Sequence, residues 1–432
     1  MSPKGGIGHA PRAAVLVLGA VVLLPLVPWL TVGAVADRFS GAATLKSVAN
    51  LAALFAIAAW AANLVLASRV RPIERAVGGL ERLYGLHRRV GVLVVVLAVT
   101  HAVFLALHAE GDALDLFLPA AGWSTFLGVV ALALLIGFVV ASLVGRLPYQ
   151  TFLLVQRLLG VAFVLGAVHT FAVRGTAASS TALTIYLACL TAAGCASLAY
   201  RVAAGRLGLG RYRYRVDEAR NLGSDVVEIA MVPVGRLLEF RAGQFVYATF
   251  LQDGIPPESH PFTIASAPGE QALRLAVKRL GDFTESMMTL RPGAEVLLEG
   301  PFGHFLLMDD GARSQTWIAG GIGVTPFLSW ARSLRKPLAA DLYYCMPGPE
   351  QAHFLDELYE IADRHPTLRV VPIRKKSLGH LSVSDIEAVN PNVPRGHVFI
   401  CGPPLLIENL STELAARGIP PERIHSETFD FR

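Results

Sequence analysis

The sequence predicts a multi-domain membrane protein: an all-α bundle of six transmembrane helices, then an antiparallel β-barrel, then an α/β domain with a parallel sheet. Three observations predict it. The 432 residues are 53% hydrophobic and only 16% charged, where soluble domains carry about 25% charged residues. The deficit of charge is confined to residues 13–200. Beyond it, short alternating strands with turns give way near residue 312 to a strand–helix alternation.

Six apolar runs reach the roughly 20 residues that cross a bilayer; they lie near 13–36, 47–67, 87–108, 122–144, 152–173 and 182–200. The first holds Pro25 and Pro28, which neighbouring helices can accommodate. It reads as retained, because the run is long and lacks a small-residue cleavage site. Basic residues then set the orientation. Lys4 and Arg12 precede span one, Arg69, Arg71, Arg75, Arg82, Arg88 and Arg89 lie between spans two and three, Arg146 follows span four, and Arg201, Arg206, Arg211, Arg213 and Arg215 follow span six. The opposite loops hold Arg38, Lys46 and Arg174 beside the acidic Glu110, Asp112 and Asp115. Both termini and the second half are therefore expected in the cytoplasm, with residues 1–12 as a tail, 13–205 as the bundle, 210–306 as the barrel and 312–432 as the α/β domain. The net charge of +5 arises from this arginine-flanked topology, so membrane lipid is an expected partner and nucleic acid is not. Cys189, Cys195, Cys345 and Cys401 form no CxxC, and neither a disulfide nor a cysteine metal site is expected.

Ionisable residues inside a membrane mark function by default. Residues 86–101 read LHRRVGVLVVVLAVTH and residues 155–170 read VQRLLGVAFVLGAVHT. His87 and His101 share a helix face, about four turns and roughly 21 Å apart at the ordinary helical rise. Spans three and five run in the same direction. His101 and His169 therefore meet at one level, the outer, and His87 meets Gln156 at the inner. Two imidazoles facing each other from neighbouring helices suit the two axial positions of a haem iron. Interhelical hydrogen bonding is the plainer use of such histidines, and the paired, repeated phrase speaks against it. His108 reads as solvated, and Phe163 as a core aromatic rather than part of an electron path.

In the second half, YRYRVDEAR, DVVEIAMVP, GQFVYATF, LRLAVKRL and AEVLLEGPFG read as the barrel strands, with HPFTIAS at 260–266 among them. A helix opens at Gly281-Asp282-Phe283-Thr284, where free backbone N–H groups would hold a pyrophosphate. TWIAGGIGVTPFLSWARSL at 316–334 reads as strand, glycine-rich turn and helix. In that context Gly320, Gly321 and Gly323 let the backbone approach a dinucleotide phosphate, and Thr325-Pro326 opens the helix. GGIG also occurs at 5–8, where no strand precedes it, and reads as tail. Cys401-Gly402-Pro403-Pro404 ends a later strand at the carboxyl edge, where such sheets bind ligands.

HPFTIAS, GGIGVTP and CGPP in this order resemble the ferredoxin-reductase-like flavoprotein module. Six spans with a repeated histidine phrase ahead of it resemble the ferric reductase and NADPH oxidase family, over about residues 45 to 432. The resemblance implies an oxidoreductase with FAD, haem and NAD(P)H. It places His260, Pro261, Phe262 and Thr263 along the flavin and its ribityl chain, and Gly281, Asp282, Phe283 and Thr284 at the FAD phosphates. Gly320, Gly321, Gly323, Thr325 and Pro326 would hold the nicotinamide nucleotide. Cys401, Gly402 and Pro403 would sit beside the nicotinamide ring. Phe431, with Phe429 as the alternative, would stack on the flavin until nicotinamide displaces it.

The family pattern has histidine where this chain has Gln156. Two haems are expected: an outer one between His101 and His169, and an inner, weakly ligated one on His87. The thirteen residues from 156 to 169 do not share a face on a regular helix, so span five is expected to distort near Gly160 or Gly166. Electrons would pass from cytoplasmic NAD(P)H through FAD and haem to an extracytoplasmic acceptor. Dioxygen (giving superoxide) and ferric or cupric ions are the candidates. The alternative is an electron-supplying subunit for an extracytoplasmic partner protein. Family users of NADPH place an Arg just after the strand that here reads LYYCM. This chain has Met346, Pro347 and Gly348 there, with Arg374, Lys375 and Lys376 on the next strand end. NADH is therefore expected to serve at least as well as NADPH.

Overall fold

The computed structural model describes residues 12–31, 41–109, 118, 122–144, 147, 149–173, 175, 180–208, 210–308, 314–346, 348–374, 381–389 and 396–428. Phe429, Phe431, Pro347, Lys375, Lys376, the carboxylates Glu110, Asp112 and Asp115, and Lys4, Arg38, Arg146 and Arg174 lie outside the described residues. The described chain forms two compact units that divide between residues 208 and 210.

The first unit is helical. Its first span is two pieces, α1 (Arg12–Leu23) and α2 (Leu26–Thr31), interrupted where Pro25 withdraws a backbone N–H. The other five spans are α3 (Ala42–Ala67), α5 (Leu80–His108), α6 (Trp123–Val144), α7 (Tyr149–Ala172) and α8 (Thr181–Leu207), and a short α4 (Arg71–Val77) precedes α5. Among the described residues, six helical spans are long and apolar enough to cross a membrane. α3 is the packing centre, against α5 and α8. Its buried Ala49, Ala52, Ala56, Ala58, Ala59 and Ala62 let neighbouring backbones come close. Val92, Val96, Val103 and Leu107 on α5, and Leu154, Val161, Val164 and Val168 on α7, stay exposed in stripes at helical spacing. Such stripes are stable against lipid and costly against water.

The second unit begins with a six-stranded antiparallel sheet. Its strands are β1 (Tyr212–Leu222), β2 (Val226–Pro233), β3 (Phe245–Leu251), β4 (His260–Thr263), β5 (Leu273–Lys278) and β6 (Glu295–Phe302), in the order β4-β3-β6-β1-β2-β5. The two outer strands meet through one bridge, Ile264 to Leu275, so the sheet curls round without a continuous closing ladder. β6 alternates half-buried and buried along its length, the period-two pattern of a strand with one face on a core. That core holds Tyr214, Ile229, Val246, Phe250, Ile264, Leu275 and Leu298. A single turn of helix, α9 (Asp282–Ser286), follows β5.

The remaining strands, β7 (Gln315–Gly320), β8 (Ala340–Met346), β9 (Leu368–Arg374), β10 (His397–Gly402) and β11 (Ile424–Thr428), form a parallel sheet in the order β11-β10-β7-β8-β9. β7 and β8 are buried at every residue, because α10 (Thr325–Arg332), α11 (Leu355–Arg364), α12 (Val383–Val389) and α13 (Pro404–Ala416) supply cover for a parallel sheet. The sheet grows from β7 to β9 on one side and from β10 to β11 on the other. The order therefore reverses between β7 and β10, and their carboxyl ends are Gly320 and Gly402. Open α/β sheets bind ligands at such a reversal.

Candidate functional site

The three intramembrane histidines are held in one manner. His101 Nδ1 lies 2.9 Å from the Ala49 carbonyl oxygen, His169 Nδ1 2.8 Å from that of Ser124, and His87 Nδ1 3.3 Å from that of Asn63. A carbonyl only accepts, so each proton sits on Nδ1 and each Nε2 keeps its lone pair. That is the tautomer of a histidine ready to ligate a metal. The rings of His101 and His169 come together, 6.4 Å between centres and tilted by 58°. Gly128 on α6 makes the space: a Cβ there would lie 2.7 Å from His169 Nδ1 and Cε1. In donor chemistry this pair fits the two axial positions of a haem.

The surroundings of Gln156 are different. Gln156 Nε2 donates to Ser142 Oγ on α6 at 3.3 Å. The expected distortion of span five is absent, since α7 runs unbroken from Tyr149 to Ala172. Thirteen residues turn a regular helix through about 220°, which carries Gln156 off the face of His169. Gly160 and Gly166 serve packing instead, against Leu198 and Trp60. His87 thus offers one ligand at this level, and Gln156 does not complete a pair. Beside it, Asn63 buries a side-chain Oδ1 that has no hydrogen-bond partner. Phe163 is fully buried and edge-on to Trp60, a core aromatic. His108 departs from the solvated reading, since its Nδ1 is enclosed without a partner.

In the antiparallel sheet, HPFT forms β4, pairing with β3 so that Phe262 opposes Val246 and Thr263 opposes Phe245. Thr263 is buried, and its Oγ1 has no partner in the protein. A buried hydroxyl left unpaired costs about 1–3 kcal/mol, so the site has the form of one completed by a polar ligand such as a flavin ring. His260 stacks on Phe283 at 3.9 Å and sets its Nε2 2.9 Å from Glu258 Oε2. At the helix opening, Thr284 Oγ1 already accepts from the N–H groups of Leu280 and Gly281, at 2.8 and 3.0 Å. The cradle expected at 281–284 is therefore partly filled by its own threonine.

At the sheet reversal, β7 leads into a tight turn over Gly321–Val324 and then α10. Gly321 is left-handed at φ 57°. A Cβ on Gly323 would lie 2.3 Å from the Cys401 carbonyl oxygen, and one on Gly320 would lie 2.8 Å from Pro403 Cδ. Glycine here is what lets the ends of β7 and β10 converge. Thr325 caps the turn through Oγ1 to the Ile322 carbonyl at 3.1 Å, and Pro326 follows in the first turn of the helix. Cys401 is fully buried. Burial and the nearby Glu427 push its thiol well up, so it is a neutral, unreactive sulfur beneath the site.

Family models match three consecutive stretches of the chain: a ferric reductase like transmembrane component over residues 52–167, an FAD-binding domain over 211–305 and an oxidoreductase NAD-binding domain over 317–412. The chain is a ferric reductase-like transmembrane oxidoreductase. It is an integral membrane protein whose second unit is an FAD- and NAD-binding reductase module. It is similar to the carnitine monooxygenase reductase subunit of Escherichia coli, 29% identical over 50% of this chain and 68% of that one. It is also similar to the reductase component of propane 2-monooxygenase of Rhodococcus jostii, 25% identical over 50% and 63%. Methane monooxygenase component C of Methylosinus trichosporium is 35% identical over 31% of this chain and 40% of its own. The chain thus spans about two thirds or less of these curated relatives. Among solved structures, phthalate dioxygenase reductase aligns over 52% of this chain and 69% of its own, at 25% identity and a TM-score of 0.44.

Sequence reasoning missed a charged cluster within the reductase module. Glu228 on β2 accepts from Arg220 at 2.7 Å and from Arg332 on α10 at 3.2 Å, and Arg274 on β5 lies 3.8 Å away. Arg332 also grips Glu357 on α11 with two bonds, at 2.7 and 2.8 Å. Burial raises the Glu228 carboxyl, but Arg220 and Arg332 outweigh it and hold the group below the usual range. Burial likewise opposes the charge on Arg332, and Glu357 and Glu228 more than restore it. The signal available in sequence was a lone Glu within the otherwise apolar strand VVEIAMVP.

Proposed function

We propose that this protein carries electrons outward across a membrane, from cytoplasmic NAD(P)H to an extracytoplasmic acceptor. One observation carries the reading: two intramembrane imidazoles face each other with Nε2 free, on the same polypeptide as a flavin and nicotinamide module. The glycine-lined end of β7 and the opening of α10 hold the nucleotide, as N–H groups at a helix start suit phosphate. Thr263 Oγ1, buried without a protein partner, would form a hydrogen bond with the bound flavin. Bound FAD would supply the exchange between a two-electron donor and one-electron carriers, and bound haem would supply a one-electron relay. His101 and His169 would hold the outer haem. At the inner level His87 would hold a second haem more weakly, because Gln156 is committed to Ser142. Lys4 and the arginines after spans two, four and six support a cytoplasmic side for both termini and the module.

The acceptor is dioxygen, or a ferric or cupric ion. The deciding experiment measures NAD(P)H consumption by the purified chain with oxygen, with ferric citrate, or with neither. Turnover sensitive to superoxide dismutase identifies an oxidase, and ferric-dependent turnover a metal reductase. Slow turnover with both overturns the proposal in favour of a chain that serves an extracytoplasmic partner protein. Haem-to-protein ratios and spectra of wild type, His87→Ala and Gln156→His test the inner level. A single low-spin haem that His87→Ala leaves unchanged refutes it. The nucleotide preference is for NADH at least as much as NADPH, since Met346 is buried where a phosphate-binding cation would stand; a hundredfold preference for NADPH in kcat/KM refutes that.

A further inference from the structure

α10 begins at the glycine turn and ends against the segment that follows Thr263. Two of its polar side chains, Ser329 and Arg332, are three residues apart and so share a helix face. Ser329 Oγ donates to the carbonyl of Ser266 at 2.7 Å, and Arg332 Nη1 donates to the carbonyl of Ala265 at 3.0 Å. Both carbonyls belong to TIAS, two and three residues beyond Thr263. The other side of the same segment is pinned to β5: Ile264 bridges Leu275, the Ala265 N–H reaches the Arg274 carbonyl at 2.8 Å, and the Arg274 N–H reaches Ser266 Oγ at 3.1 Å. Ser329 and Ser266 are fully buried, and Arg332 is 8% exposed.

We propose that Arg332 and Ser329 are positioning residues for the hydride step: with them α10 acts as a strut of fixed length between the nicotinamide turn and Thr263. This rests on the reading of those two motifs as the nucleotide and flavin sites. The helix has eight residues, about 12 Å at the ordinary rise, and such a span is stiff. Glu357 and Glu228 hold the guanidinium in register, so its bond to Ala265 has one orientation. A planar fork with two carboxylate partners and one carbonyl is a task that Lys, with a single ammonium, does not perform. Reacting atoms misplaced by about 1 Å lose as much as a hundredfold in rate. A cluster that only fastened two domains would instead change stability and leave the hydride rate alone.

The test uses the full chain in detergent, as wild type, Arg332→Lys, Ser329→Ala and the double variant. Flavin content, melting temperature, NADH affinity and the anaerobic rate of flavin reduction at saturating NADH are measured. The kinetic isotope effect with 4-deuterated NADH is measured alongside. The expected result is normal flavin content, NADH affinity within about twofold, and a reduction rate lowered about tenfold in Arg332→Lys and about threefold in Ser329→Ala. The isotope effect should rise as the hydride step becomes limiting. Ser329→Ala removes only one hydroxyl, so it reads the proposal even where Arg332→Lys does not fold. Unchanged rates and isotope effects in folded Ser329→Ala overturn the proposal, as do rates that fall only in step with lost flavin. Failure of the wild type to bind FAD, or to be reduced by NADH, refutes the functional reading itself.

Discussion

Replacing Gly128 by Ala tests whether the pair of His101 and His169 holds haem. The new Cβ would stand 2.7 Å from His169 Nδ1 and Cε1 and 3.0 Å from Cγ. Carbon contacts become comfortable only at about 3.5 Å, so the imidazole must retreat by roughly 0.8 Å. The Nδ1 bond to Ser124, now 2.8 Å, would then stretch beyond the hydrogen-bonding range. Losing that bond costs about 0.5–1.5 kcal/mol, and overpacking adds about 1–3 kcal/mol. Haem affinity at this level should fall between about tenfold and two-thousandfold, the two costs together being about 1.5–4.5 kcal/mol at roughly 1.4 kcal/mol per decade. The assay is the haem-to-protein ratio together with the reduced and oxidised spectra of purified Gly128→Ala, with His169→Ala as reference. A Gly128→Ala protein that keeps a full complement of low-spin haem would refute the assignment of His169 as an axial ligand.

Thr263→Val should leave the melting temperature within about 1 °C or raise it, since the hydroxyl it removes has no protein partner, while FAD affinity measured by titration falls about tenfold; a large loss of stability would mean that the hydroxyl is already satisfied. Gly323→Ala sets a Cβ 2.3 Å from the Cys401 carbonyl oxygen and 2.9 Å from Gly402 Cα. Only backbone can move there, so the change should cost more than about 3 kcal/mol by denaturant titration or abolish NADH-dependent flavin reduction. His425 stacks on Phe399 and lies 3.0 Å from His397, and burial, with His397 adding, pulls its pKa down to about 4. Its folded pKa is below the unfolded value of about 6.5, so its stabilisation is complete above that pH and is lost as pH falls towards 4. Allowing for half-burial, the loss from pH 7 to pH 5 is about 1 kcal/mol; His425→Phe should flatten the pH dependence of the melting temperature by that amount, and parallel curves would contradict it.

The parts of this architecture legible in the sequence are those with a local cause. Span lengths follow from bilayer thickness, and the glycines at 320, 321 and 323 announce a turn because a Cβ at 320 or 323 would collide with the end of the neighbouring strand and Gly321 is left-handed. His101 and His169 were legible because their levels follow from counting helical rise. Gln156 was not: its direction depends on Ser142 from another helix. The Arg332 cluster joins residues 104 positions apart, Glu228 and Arg332, and no periodicity marks such a meeting. Thr263 was singled out as one of a motif of four, whereas its want of a partner is visible only once the surrounding core is built. β11 was not announced by the alternation, because HSET is polar and the strand forms the edge of the sheet.

The histidine anchors have a consequence for mutational tolerance. Ala49, Asn63 and Ser124 hold the imidazoles through main-chain oxygens, an atom that all twenty residues possess. Exchanging the side chain at 49 or 124 leaves the tether in place as long as the helix keeps its course and the new group finds room. A substitution scan that scores loss of haem would therefore pass over two of the three contacts that orient the ligands, and report neighbours such as Gly128 instead. The orientation is written in the path of α3 and α6, so shifts of those helices, by bilayer thickness or by a packing change at a distant alanine, should reach the histidines more readily than a point change at the anchor.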